Sequence, residues 1–153
     1  MAYFEIRNAE KTDLPRFAEI EAECIPTPWS IRAFESEFAA KGAIFLAADS
    51  GNGICAFLTA SSVLDEVNIN NVAVTVPFRR KGFGEALMNA LEERVSSFAA
   101  AINLEVRESN VPAILLYEKL GYEQVGVRKG FYSNPTENAL LMTKRIKQKE
   151  DSL

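Results

Sequence analysis

The stretch that most constrains the fold is an apolar run that leads through a basic, glycine-containing turn into a helical pattern. A strand is predicted over Val67–Val76, and Pro77 ends it because proline has no N–H to donate to a sheet. The turn reads Arg-Arg-Lys-Gly-Phe-Gly at residues 79–84. Apolar residues then recur at helical spacing, namely Leu87, Leu91, Val95 and Phe98. A second strand, Ile102–Arg107, follows, so this unit predicts a β-α-β crossover.

Shorter elements with recognisable start and stop signals flank this unit. Before it, we predict a strand at Tyr3–Asn8, a helix from Thr12 or Asp13 bearing Leu14, Phe17 and Ile20, a helix capped by Ser30, and strands at Ala43–Ala48 and Ile54–Ser61 joined by a turn at Asp49–Gly53. After it, we predict a helix opened by Asn110 and Pro112 and ended by Gly121, and strands at Tyr122–Val127 and Ala139–Lys144.

The predicted order β-α-α-β-β-β-α-β-α-β-β combines an early hairpin with later β-α-β units. Such a mixture indicates an α/β or α+β architecture with a mixed sheet and helices on both of its faces. A length of 153 residues with 48% hydrophobic residues fits one domain, which we place at residues 1–146, followed by a polar tail at residues 147–153.

Composition excludes several functional classes. The sequence has no histidine, so histidine-dependent nucleophile pairs and histidine-containing metal sites are impossible, and we expect no metal. The two cysteines, Cys24 and Cys55, are too few for a disulfide framework, and we expect both to be small core residues in a reducing compartment. A net charge of −4 argues against a nucleic-acid-binding surface. Without a long apolar stretch, we expect a cytoplasmic protein that does not span a membrane.

The basic turn has the layout of a phosphate-binding site. Gly82 and Gly84 allow close backbone approach, the first N–H groups of the following helix point outward, and three cations stand beside them at residues 79–81. It is not a P-loop, since Gly-Lys-Ser/Thr is absent, and Leu87 replaces the third glycine of the dinucleotide-binding pattern. The alternative, a strand-to-helix turn with solvated basic side chains, stays open from these residues alone.

A second group of polar residues follows the crossover strand. Ile102, Leu104 and Val106 share one face of that strand, so Glu105 points from the other face toward solvent or a cleft. On the next helix, Tyr117 is either a packing residue or a functional hydroxyl. Asn110 suits an N-cap, and that role does not prevent it from also binding a ligand.

Both groups together resemble the GNAT acetyltransferase family. The first signature, Arg/Gln-x-x-Gly-x-Gly/Ala, is matched at Arg79, Gly82 and Gly84, and the second by Asn110, Ala113, Leu116-Tyr117 and Gly121-Tyr122. The resemblance implies acetyl-CoA as cosubstrate, with Glu105 as general base and Tyr117 as general acid. It also implies a set of acetyl-CoA-binding residues, namely Val72, Ala73, Val74, Arg79, Arg80, Lys81, Gly82, Phe83, Gly84, Glu85 and Asn110.

Three further stretches narrow the resemblance to the ribosomal-protein-alanine N-acetyltransferases: Thr27–Ser30, Val63–Glu66 and Arg128–Met142. It implies that the acceptor is the N-terminal alanine of the eighteenth small-subunit ribosomal protein. One departure stands at Gly130-Phe131-Tyr132, where these relatives often carry Asn-Tyr-Tyr on the peptide-binding side. A small amine or a lysine side chain as acceptor, or a non-catalytic acyl-CoA-binding module, are the alternatives.

Overall fold

The computed structural model describes residues 4–147. Its strands are β1 (Glu5–Asn8), β2 (Ala43–Asp49), β3 (Ile54–Val63), β4 (Glu66–Val74), β5 (Ala101–Arg107), β6 (Glu123–Tyr132) and β7 (Glu137–Arg145). Its α-helices are α1 (Leu14–Cys24), α2 (Ile31–Phe38), α3 (Phe83–Val95) and α4 (Val111–Lys119). The predicted order of elements is confirmed. Tyr3 and residues 148–153 of the predicted tail lie outside the described residues.

All strands join one mixed sheet in the order β1-β2-β3-β4-β5-β7-β6. The neighbours β4 and β5 run parallel, as expected for strands joined through α3, and the other neighbouring pairs run antiparallel. The predicted mixed sheet is therefore confirmed.

Helices cover both faces of this sheet, each over its own apolar core. On one face, α1 and α2 pack with inward residues of the sheet around Phe17, Phe34 and Phe57. On the other face, α3 contributes Leu87 and Leu91 to a cluster that α4 extends with partly buried side chains. The two clusters tell which face each strand residue occupies, because side chains alternate along a strand.

Local signals in the sequence set the ends of several elements. The Ser30 hydroxyl accepts a hydrogen bond from Ala33 N at 3.1 Å, and Asn110 Oδ1 accepts one from Ala113 N at 3.3 Å. Both residues are the N-caps that the sequence predicts. Between β2 and β3, Ser50 N donates to Gly53 O at 3.0 Å and closes the predicted hairpin.

Two boundaries differ from the prediction by more than two residues, and strand β4 also ends two residues early, at Val74. Helix α3 ends at Val95, and Phe98, predicted on its buried face, is exposed because the chain turns after Val95 and places Ala99 in the core instead. Strand β6 continues to Tyr132 rather than ending at Val127. Its last residues lie on an edge strand whose side chains are mostly exposed, so the apolar pattern stops before the strand does.

The expectation for the cysteines holds for one of them. Cys55 is buried as predicted, whereas Cys24 is only partly buried at the end of α1. Its position in the last turn of the helix leaves the thiol beside β4 rather than within the core. Within residues 4–147, no helix combines the length and the apolar character needed to cross a membrane.

The parallel pair β4–β5 is short, and this opens the sheet. The described strands pair only from Glu66↔Ala101 to Asn68↔Asn103, although both run on for several residues. Beyond that point β4 stays paired with β3 and β5 with β7. A bulge at Asn70 shifts the register of β4, because Ile69 pairs with Ala60 while Asn71 pairs with Thr59. A gap therefore separates the carboxyl ends of β4 and β5.

Candidate active site

The main chain of β4 lines one side of the gap. Thr75 N donates to Cys55 O at 2.9 Å, and antiparallel pairing alternates, so the main chains of Thr75 and Ala73 bond toward β3. The N–H groups of Val72 and Val74 consequently point toward the gap. An extended ligand lying in the gap could pair with these groups as an additional strand would.

The side chain of Arg79 is turned back toward β4. Its Nε donates to Val74 O at 3.0 Å, and its Nη2 lies 3.1 Å from Cys24 Sγ. The guanidinium thus fixes the carbonyl at the end of the strand and connects it to α1. Among the three predicted phosphate-side cations, Arg80 and Lys81 are exposed beside the turn, and Lys81 Nζ lies 5.7 Å from the centre of the Phe78 ring.

The glycine turn places helix α3 with its amino end at the mouth of the gap. Gly82 is the N-cap residue, at a φ of 87° that favours glycine, and Arg80 also has a positive φ of 62°. The Phe83 ring is buried in the core, so only the main chain of Phe83 can meet a ligand. The N–H groups at the start of α3 therefore have the arrangement that can bind an anion, and a buried aromatic ring anchors them.

Glu105 lies on β5 on the α1/α2 face of the sheet. Its neighbours Leu104 and Val106 are buried in the core on the α3 face, so alternation turns the carboxylate to the opposite face. The side chain is 34% exposed, and its Oε1 lies 3.6 Å from Arg128 Nη1 of β6. Of the two positions left open by the sequence, solvent or cleft, the structure gives a partly exposed carboxylate beside the gap.

Tyr117 lies on the α3 face instead. It packs from α4 against the core on that face, and its ring lies 6.1 Å from that of Tyr122. Burial, followed by the charge of Tyr132, raises the pKa of Tyr117 to about 12. Its hydroxyl therefore stays protonated at neutral pH and can donate a proton but not accept one.

Tyr132, at the end of β6, stands near both candidate groups. Burial raises the pKa of Tyr132, and the charge of Glu105 raises it further. The guanidinium of Arg107 lies 4.5 Å from the centre of the Tyr132 ring and also donates to the carbonyls of Ser133 and Pro135. Arg107 therefore ties the β6–β7 turn to the end of β5, beside Glu105. The sequence pattern assigns no role to Arg107 or Arg128, and it marks Tyr132 only as part of the Gly130-Phe131-Tyr132 departure.

The departure at Gly130 has a backbone explanation. Gly130 has a φ of 61°, and its N–H donates to Asn138 Oδ1 at 2.9 Å. Asparagine, which the family resemblance leads one to expect here, is among the residues other than glycine that most readily adopt positive φ. The substitution therefore preserves the path of the β6–β7 segment and removes a side chain from it.

A buried set of linked hydrogen bonds was not predicted from the sequence. The Glu21 carboxylate accepts hydrogen bonds from Trp29 N and from Asn71 Nδ2, and Asn71 Oδ1 accepts one from the Thr59 hydroxyl. Burial raises the pKa of Glu21, while the two hydrogen bonds oppose that shift. A signal was present, since Glu21 continues the apolar stripe of Leu14 and Phe17 at helical spacing.

The arrangement combines the parts that an acyl transfer requires. A carboxylate that can accept a proton lies on one face of the gap, and a protonated tyrosine lies on the other. Main-chain N–H groups of β4 between them can stabilise a developing oxyanion, and the amino end of α3 can hold phosphate.

Comparisons with known proteins agree with this geometry. A sequence model described as the acetyltransferase (GNAT) family matches residues 14–122. The chain belongs to the GNAT acetyltransferase family. Within it, the chain is 36% identical over 140 residues to the [ribosomal protein bS18]-alanine N-acetyltransferase of Escherichia coli K12, covering 90% of this chain and 94% of that protein. The Haemophilus influenzae enzyme of the same name is 33% identical over 141 residues, covering 90% and 95%.

Solved GNAT structures show the same fold. The crystal structure of the ribosomal-protein-S18-alanine N-acetyltransferase from Escherichia coli superposes with a TM-score of 0.90 at 32% identity, covering 99% of each chain. Arabidopsis thaliana NAA60 in complex with acetyl-CoA gives a TM-score of 0.85 at 22% identity, covering 94% of this chain and 100% of that one. The single-domain α/β prediction and the family resemblance are thereby confirmed, and the chain is an acetyl-CoA-dependent N-acetyltransferase by family.

The raised pKa of Tyr117 predicts a stability difference in alkali. A tyrosine with a raised pKa binds its proton more tightly in the folded chain, so its contribution is complete below about pH 10 and is lost as the pH rises through about 12. We expect the parent protein to lose more unfolding free energy than Tyr117→Phe across that window, measured by urea denaturation at a series of pH values. Equal losses in the two proteins would show that Tyr117 titrates normally.

Proposed function

We propose that this protein is an N-α-acetyltransferase that moves the acetyl group of acetyl-CoA to the N-terminal alanine of a small-subunit ribosomal protein. The observation that carries the proposal is the placement of Glu105 and Tyr117 on opposite faces of the gap between β4 and β5. The acceptor is proposed because relatives that align with most of the chain are named as alanine N-acetyltransferases of ribosomal protein S18. A ribosomal acceptor and unpaired cysteines fit a cytoplasmic enzyme.

Acetyl-CoA is assigned to the gap and to the amino end of α3. The pantetheine arm would pair with the main chain at Val72–Val74, which includes two N–H groups directed into the gap. The pyrophosphate would lie over the N–H groups from Arg80 to Glu85, with Arg79 and Lys81 adding positive charge beside the turn. Asn110, besides capping α4, would contact the arm near β5. The domain is proposed to span residues 1–146, with residues 147–153 as a tail.

The reaction is a direct transfer. Glu105 takes a proton from the acceptor's α-amine, directly or through one water, and the nitrogen then attacks the thioester carbon. An N-terminal amine has a pKa of about 7.7–8.0, so a modest base suffices. One main-chain N–H near Val72 to Val74 stabilises the oxyanion, and the pantetheine arm pairs with the rest of that segment. When the carbon–sulfur bond breaks, Tyr117 gives its proton to the departing thiolate, and no covalent acyl-enzyme forms.

The two faces of the sheet separate the two proton transfers. The amine loses its proton on the α1/α2 face, where Glu105 is partly exposed and solvent can carry the proton away. The thiolate gains a proton on the α3 face, where burial keeps the Tyr117 hydroxyl protonated. Because its pKa is raised, Tyr117 is a weaker acid than an alkyl thiol. Proton transfer from Tyr117 to the thiolate is therefore unfavourable by itself and must be coupled to reprotonation of Tyr117 from solvent.

The acceptor is tested by mass spectrometry of products formed with acetyl-CoA and two matched peptides. One peptide begins Ala-Arg with a free amine, and the other has that amine blocked and its lysines free. We expect the first peptide alone to gain an acetyl group. Reaction of the lysines alone would indicate a side-chain acetyltransferase. Tight CoA binding with no thiol released on any amine would indicate a binding module, and either result contradicts the proposal.

The catalytic assignment is tested by Glu105→Gln and Tyr117→Phe. Each variant should lower kcat by about 10²-fold or more if the residue transfers a proton. Binding of acetyl-CoA, measured by titration calorimetry, should stay close to that of the parent. Glu118→Gln on the exposed side of α4 and Tyr122→Phe in the core are the matched controls. Near-normal turnover in either active-site variant removes the role assigned to that residue.

A further inference from the structure

Glu21 is a carboxylate that the transfer chemistry does not use, yet it lies fully buried. Its exposed fraction is 0%, as is that of Thr59, and Asn71 is 6% exposed. Within residues 4–147, no lysine or arginine forms an ion pair with it. Burying a carboxylate without a cation is costly, and an apolar residue of similar volume would serve the core better. Packing alone therefore does not explain a carboxylate at position 21.

Each oxygen of the carboxylate holds a different part of the chain. Oε2 accepts from Trp29 N at 2.7 Å, and Oε1 accepts from Asn71 Nδ2 at 2.6 Å. Asn71 Oδ1 in turn accepts from the Thr59 hydroxyl at 2.7 Å. Trp29 ends the loop at residues 25–29, which joins α1 to α2, and Asn71 directly follows the bulge of β4. The carboxylate thus connects that loop to the strand that lines the gap.

Glu23, in the same last turn of α1, holds the far end of this segment of β4. Glu23 accepts from the Thr75 hydroxyl at 2.8 Å and from Val76 N at 3.2 Å. The last turn of α1 therefore holds β4 on both sides of Val72 and Val74, whose N–H groups point into the gap. A displacement at Asn71 would move these N–H groups directly.

The loop at residues 25–29 lies on the face from which the acceptor arrives. Ala73 of β4 belongs to the core beneath α1 and α2, and Glu105 of β5 points to that same face. Pro26, Thr27 and Pro28 of the loop are exposed. A peptide amine approaching Glu105 over this face therefore passes beside the loop that Glu21 fixes.

We propose that Glu21 is a positioning residue for the acceptor, which holds the loop at residues 25–29 and the gap-lining segment of β4 in their reactive arrangement. This inference rests on the proposed function, because it concerns the acceptor side of the same reaction. Losing the Trp29 bond frees the loop, and losing the Asn71 bond frees the strand. The pyrophosphate of acetyl-CoA, proposed to lie at the amino end of α3, contacts neither of these bonded groups, whereas the pantetheine arm runs along the strand segment next to Asn71.

Hydrogen-bond chemistry supplies a matched set of variants. In Glu21→Gln the amide oxygen can still accept from Trp29 N, and a flip of the Asn71 amide with rotation of the Thr59 hydroxyl satisfies the remaining groups. Glu21→Ala leaves Trp29 N and Asn71 without their acceptor. Asn71→Asp places two carboxylates face to face with no donor between them. In Glu21→Gln combined with Asn71→Asp, the new amide at position 21 can donate to the carboxylate at position 71. Glu19→Ala, on the exposed side of α1, is the control.

The experiment combines steady-state kinetics with the fluorescence of Trp29, which is the single tryptophan of the sequence. We expect Glu21→Ala to raise the KM for the Ala-Arg peptide by about tenfold or more. The KM for acetyl-CoA should rise by a smaller factor, because only its pantetheine arm meets the loosened strand and its pyrophosphate stays at the amino end of α3. The Trp29 emission should shift to the red, because the loop is no longer fixed. Glu21→Gln should match the parent in all three readouts, and Glu19→Ala should as well.

Asn71→Asp, alone and combined with Glu21→Gln, keeps the test valid if Glu21→Ala does not fold. Asn71→Asp should impair use of the peptide, and the double variant should recover it. The inference is overturned if Glu21→Ala folds with unchanged peptide KM, if only its thermal stability falls, or if the double variant shows no recovery. If the parent enzyme does not acetylate the peptide, the proposed function is overturned, and this inference with it. That failure would be seen in the parent enzyme before any variant is compared.

Discussion

The early end of the parallel pairing between β4 and β5 is the constraint on which the rest of the site depends. Each strand keeps its antiparallel partner on the other side, so the sheet stays intact while its centre opens. The bulge at Asn70 adds a residue to β4 alone and changes its direction relative to β5. Main-chain groups that a neighbouring strand would otherwise satisfy become a binding edge for an extended ligand.

The opening also determines how the two groups that we propose to transfer protons are divided between the faces of the sheet. Glu105 and its buried neighbours Leu104 and Val106 alternate on β5, so a carboxylate reaches one face while apolar side chains close the other. Tyr117 comes from α4 on the closed face, where burial holds its pKa high. The proposed base is therefore partly exposed to water, and the proposed acid is more shielded from it. This suits a base that must release its proton and an acid that must keep one until the thiolate forms.

Local signals were sufficient for much of the fold and for part of the site. Ser30 and Asn110 cap helices as predicted, and the turn containing Gly82 opens a helix at the mouth of the gap. The end of β6 was missed because an exposed edge strand needs no apolar alternation. The Glu21–Asn71 bond was missed because it joins residues 50 positions apart, and only the packing of α1 on the sheet brings them together.

The most direct measurement is a crystal structure of the protein with a bisubstrate analogue in which CoA is joined through an acetyl group to the amine of an alanine peptide. We expect the linking carbon to lie between β4 and β5, with the Glu105 carboxylate near the peptide nitrogen and the Tyr117 hydroxyl near the sulfur, on opposite faces of the sheet. Each contact should be a direct hydrogen bond or one bridged by a single water. An analogue bound outside the gap, or one with both groups on the same face, would contradict this expectation.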